Sequence, residues 1–130
     1  MNKLTVALKA NAAFSTFSGI TLILFHNSLA QLFAVDNPMP FWIVGIGLLF
    51  FAGTVFLEAR QTPKRIKKVQ FIIVQDILWV VASMVIIAFQ IFSLSTTGYT
   101  LIGIVALIVG YFAFAQWKGI QEVQTLKVST

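Results

Sequence analysis

The chain has 130 residues, of which 58% are hydrophobic and only 10% charged. A soluble domain carries about a quarter charged residues to coat its surface, so a water-exposed globule is excluded and lipid is the expected surroundings. The net charge of +5 does not point to nucleic acid, because the basic residues sit between apolar runs, as beside an anionic membrane face.

The first apolar run covers about residues 6–25, interrupted by Lys9 near its start. The connection that follows, 26–40, has Ser28 placed to cap a short helical piece. In it Leu29, Leu32 and Phe33 recur at helical spacing, so the piece is expected to lie along the membrane interface. Pro38 or Pro40 suits the first turn of the next helix, where a missing N–H costs nothing. The second run covers about 41–59, and a basic connection with Pro63 leads to the third, about 69–92. A tight polar turn at Ser95–Gly98 then precedes the fourth run, about 99–117.

Each run is near the ~20 residues an α-helix needs to cross about 30 Å of hydrocarbon. Stretches such as Leu101 to Val109 do not alternate as a barrel strand would. The expected fold is all-α: a four-helix transmembrane bundle, up-down and antiparallel, forming a single domain over 1–130. A rival reading of the first run as a signal peptide, cut near Ser28-Leu29-Ala30, is set aside because the apolar stretch exceeds the usual length.

Charge fixes the expected orientation. With four spans, all nine Lys and Arg residues fall on one side: Lys3 and Lys9, then Arg60 to Lys68, then Lys118 and Lys127. The other side has only Asp36 and His26. The positive-inside rule then places both termini in the cytoplasm of a cell whose inner membrane holds the chain. Trp42 and Tyr99 are expected at the outer boundary and Trp117 at the inner one.

Asp76 lies about seven positions inside the third run, on the order of 10 Å deep at the helical rise. An ionised carboxylate at mid-membrane costs about 3 kcal/mol or more, so it is expected to face other helices. Asp76, Ser83 and Gln90 recur every seven residues, with Trp79, Ile86 and Ser93 between them. Matching stripes are Asn11, Ser15 and Ser18 in the first run, and Gly47, Phe51, Thr54 and Glu58 in the second. In the fourth, Gly103, Ala106, Gly110 and Ala113 form a small-residue ridge suited to close packing. The topology brings Asn11, Ser15, Thr54, Glu58, Gln75, Asp76 and Gln116 to similar depth. A polar cluster is expected there.

The bland role for Asp76 is to fix helix register through Asn11 or a serine. The functional one is to bind a proton, a cation or a polar headgroup, alone or with Glu58. Glu58 itself is expected to make an interfacial salt bridge. His26 is expected at the interface, and Lys64, Arg65, Lys67 and Lys68 record topology or attract anionic lipid. No cysteine exists and the one histidine, His26, is expected across the membrane from Asp76. Nucleophilic catalysis, a metal site and a bound cofactor are therefore not expected.

The segments Asn11–Ser15 and Gln75–Trp79 resemble uncharacterised small four-helix integral membrane proteins of bacteria. That resemblance covers much of the chain and implies no activity. Small multidrug-resistance transporters share the size and span count, but their essential glutamate lies in a first helix that here has Asn11 and no acid. DoxX-like proteins are also four-helix and of similar length, with no motif in common. The expected function is a scaffold or accessory protein acting through helix packing, with itself or with a larger membrane partner. The alternative is a carrier for a proton, cation or small amphiphile at Asp76.

Overall fold

The computed structural model describes residues 3–129, with side chains described through Thr125; Met1 and the side chain of Lys127 lie outside it. Among the described residues there are five α-helices, one 3-10 turn and no strand. The helices are α1 Lys3–Leu24, α2 His26–Leu32, α3 Met39–Arg60, α4 Ile66–Ala88 and α5 Thr96–Ser129. Four of them, α1, α3, α4 and α5, are long and apolar enough to cross a membrane. The chain has the make-up of a multi-pass membrane protein.

The helices pack in the order α3–α1–α5–α4, with α3 and α4 barely touching although a short loop joins them. At one end, Leu4 and Leu8 of α1 meet Val55 and Ala59 of α3, Val69 of α4 and Ile120 of α5. Lys3 pairs with Glu122 at this end, at 3.7 Å. It is the basic end. At the opposite end Ser95 clips α2 to α5: its N–H donates to Phe33 O and its hydroxyl to Leu32 O. The same hydroxyl oxygen accepts the Gly98 N–H and so caps α5.

Lipid is as apolar as leucine, so burial of aliphatic groups drives these contacts weakly and close approach matters more. A Cβ on Gly119 of α5 would stand 2.8 Å from Leu4 Cα of α1, and α1 and α3 approach as closely. A Cβ placed on Gly19 would stand 2.9 Å from Gly45 O, and one on Gly45 would stand 2.9 Å from Gly19 O. Gly45, Ala52 and Ala59, spaced by seven, form the buried face of α3. The small ridge expected on the fourth helix is less crowded. Ala106 and Ala113 are buried, but a Cβ on Gly103 or Gly110 would meet only side chains at ordinary contact distance.

Several boundaries differ from the sequence expectation. α4 stops at Ala88, because 23 residues already span about 35 Å at the helical rise. Gln90, Phe92 and Ser93 then take positive φ, so Gln90 and Ser93 leave the seven-residue stripe. The turn is held by Tyr99, whose hydroxyl accepts the Leu94 N–H and donates to Ile91 O. Thr96 to Gly98, expected as the turn, is instead the first turn of α5. That helix also continues well past Trp117, to Ser129. Ser28 lies inside α2 and caps nothing: the helix follows α1 after Phe25 alone, with no side-chain cap. Pro40 does sit in the first turn of α3.

The Gly19–Gly45 contact makes a direct prediction. Gly19→Val forces α1 and α3 apart and lowers stability by about 1–3 kcal/mol, the usual cost of overpacking. Gly53→Ala, where a Cβ would meet open space, does not lower stability and raises it by up to about 1 kcal/mol, the gain on replacing an interior helical glycine. Denaturation in mixed micelles, followed by circular dichroism, reads both.

Candidate functional site

Three helices place four polar side chains at one depth. Asp76 on α4 is 3% exposed, Asn11 on α1 is 1%, Gln116 on α5 is 0% and Ser15 on α1 is 4%. Burial of such groups is tolerated only when they bond one another, and they do. Asn11 Nδ2 donates to Asp76 Oδ2 and to Gln116 Oε1, both at 2.9 Å. Gln116 Nε2 donates to the same Asp76 Oδ2, also at 2.9 Å. Ser15 Oγ donates to Asn11 Oδ1 at 3.3 Å. Each side chain fixes the orientation of the next, so the network is both a lock between helices and a rigid mount for one carboxylate.

Asp76 Oδ1 is treated differently. Both donors converge on Oδ2, and among the described residues no hydrogen bond reaches Oδ1. Among the described residues no sealed side-chain oxygen or nitrogen lacks a partner, so Oδ1 must meet open space. The space that Asp76 lines is a cavity of about 270 Å³. Its walls come from α1 (Phe14, Ser18), α3 (Val44, Gly47, Leu48, Phe51), α4 (Gln75, Trp79) and α5 (Val105, Val109). Because α3 and α4 barely meet, the cavity lies in the gap between them, with α1 and α5 as its back wall.

The remaining sequence-selected residues are divided. Gln75 lines the cavity from an exposed position. Thr54 does not join the cluster: it is exposed, and its hydroxyl donates to Phe51 O of its own helix at 2.7 Å. A threonine that satisfies itself on its own backbone needs no partner helix. Glu58 is buried but also apart, held by Arg65 through two guanidinium hydrogen bonds. Its partner is Arg65 rather than the adjacent Arg60, which lies over the Phe56 ring. The stripe Gly47, Phe51, Thr54 and Glu58 is thus split: its first two members line the cavity and its last two serve other ends.

The basic connection is also partly committed. The Lys64 ammonium donates to Ala59 O at 2.7 Å and Gln61 O at 2.8 Å, closing the carbonyl end of α3 where a cation is favoured. Burial, then the charge of Lys9, lowers the Lys64 pKa, with Glu58 acting the other way. Lys67 and Lys68 are exposed. His26, at the opposite end, donates from Nδ1 to Ile23 O at 2.7 Å.

Sequence reasoning missed the aliphatic and aromatic walls, Phe14, Val44, Leu48, Val105 and Val109. Apolar residues in an apolar span carry no signal of which face they take. Neither a family model, nor a curated protein, nor a solved structure matches the chain.

Proposed function

We propose that this is a small binding or carrier protein of the inner membrane, using Asp76 to hold a cation or a polar headgroup. The proposed frame is an up-down antiparallel four-helix bundle with both termini in the cytoplasm. Two features support that frame: the one-sided sorting of Lys and Arg, and the contact of Lys3 with Glu122 at the end where α3 turns into α4.

One observation carries the functional reading. A carboxylate oxygen of the buried Asp76, mounted by two amide donors, opens into a cavity instead of finding a protein partner. A purely structural acid would be expected to spend both oxygens on neighbouring helices. The scaffold reading has its own support, because the network spends its donors tying α1, α4 and α5 together. Lipid contact at the basic end is proposed for exposed Lys67 and Lys68, with Lys64 and Arg65 contributing less since both have partners within the chain.

Asp76→Asn separates the two roles. The asparagine carbonyl oxygen can accept both existing bonds, while its amide group turns a donor toward the cavity in place of an acceptor. We expect assembly and thermal stability in nanodiscs to be retained and binding of a hydrophobic amine to fall about tenfold or more, the loss of one charged hydrogen bond. Loss of assembly with amine binding intact would favour the scaffold. The frame is checked with single cysteines in this cysteine-free chain. Asn27→Cys should react with an impermeant maleimide in intact cells, and Lys67→Cys only after the cells are opened.

A further inference from the structure

We infer that the gap between α3 and α4 is a lateral entry from the lipid, and that its occupant is a small cationic amphiphile, a short-chain amine in chemical class. This rests on the reading of Asp76 as a binding carboxylate and adds where the ligand comes from and what shape it has.

The cavity divides along its length. Toward the basic end its wall is polar, with Asp76, Asn11 and Ser15, and Gln75 at the rim. Away from it the wall is mostly apolar, built from Val44, Leu48, Val105 and Val109, with Ser18 its one hydroxyl. The occupant therefore needs a polar head and an apolar body. Asp76 Oδ1 is an acceptor facing a space lined by no Lys or Arg, so the head is a donor, and a cation is favoured over a neutral group. Trp79, Phe14 and Phe51 add aromatic faces that tolerate a cation. An anion would meet the carboxylate with nothing to offset it.

Size limits the body. At about 30 Å³ for each water-sized group, the volume holds on the order of nine non-hydrogen atoms. A long lipid chain does not fit entirely inside.

The route follows from packing. α1 against α3, α1 against α5 and α5 against α4 are closed contacts, and only α3 against α4 is slack. The basic end is sealed by the cluster of Leu4, Leu8, Val55, Ala59 and Val69. Val44, Gly47, Gln75 and Trp79 along the gap are exposed. Gly47 is the decisive position, because a Cβ there would meet nothing within 4 Å. A larger side chain at this residue can occupy the gap without displacing a helix.

The test uses ω-bromooctylamine as probe, whose bromine quenches tryptophan on contact, with the full chain in zwitterionic lipid vesicles. Trp42→Phe and Trp117→Phe leave Trp79 as the one tryptophan, excited selectively over the two tyrosines, since the chain has three tryptophans. We expect saturable quenching of Trp79 whose onset Gly47→Leu slows, and whose affinity it weakens, by about tenfold or more while the helical spectrum stays unchanged and the melting temperature does not fall. The anionic ω-bromooctanoate should give only the shallow, non-saturating quenching of probe dissolved in lipid. If Gly47→Leu leaves the saturable phase intact while Asp76→Asn removes it, the carboxylate binds the amine but lateral entry is overturned. If Asp76→Asn leaves it intact while Gly47→Leu removes it, the binding role of Asp76 itself fails. Equal saturable quenching by the octanoate overturns the cationic class of the occupant.

Discussion

A carboxylate inside an apolar slab has no water to hold its charge or its lone pairs, and the rest of this structure is arranged around that fact. Asp76 stands ten residues into α4, about 15 Å from its start at the helical rise. Asn11 and Gln116 reach it from two other helices and bond to each other as well. α1 and α5 must therefore lie side by side, which sets the packing order. α3 is then left on the outer flank of α1, secured by the glycine contact at Gly19 and Gly45. It meets α4 sparingly, Val55 and Ala59 sharing a core with Val69 at the basic end, and the gap lies beyond that contact.

Structure and function meet in how the amide donors are distributed. Had one donor taken each carboxylate oxygen, Asp76 would be fully enclosed and chemically silent. Both instead take Oδ2, which holds the group rigidly while leaving Oδ1 for another partner. Preorganisation of this kind lowers the ordering cost of binding. In the proposed reading the polar head of an occupant sits beside this network, with its body along the apolar wall.

Much of the helical order was legible in the amino acids, because spanning length is a coarse signal with a strong physical cause. Asn11, Asp76, Ser15 and Gln116 could be grouped because polar residues are costly in lipid and must find one another at equal depth. Thr54 was misplaced by the same logic, since a hydroxyl can satisfy itself on its own helix. The end of α4 was not legible: Phe89, Ile91 and Phe92 are as apolar as the span before them, and only the backbone turn at Gln90 marks the stop. The α1–α3 face was hidden for a related reason. Gly45, Ala52 and Ala59 form a seven-residue series beside the equally plausible Gly47, Phe51, Thr54 and Glu58, and which one packs depends on the facing Gly19.

The central claim is that Asn11 and Gln116 act on the same carboxylate. A double-mutant cycle with Asn11→Ala and Gln116→Ala, read as unfolding free energy in micelles, tests it most directly. Coupling of about 0.5–3 kcal/mol is the result for residues in one shared network. Additive losses, agreeing within about 0.5 kcal/mol, would mean that the two amides do not meet at Asp76, and the packing order drawn from them would be wrong.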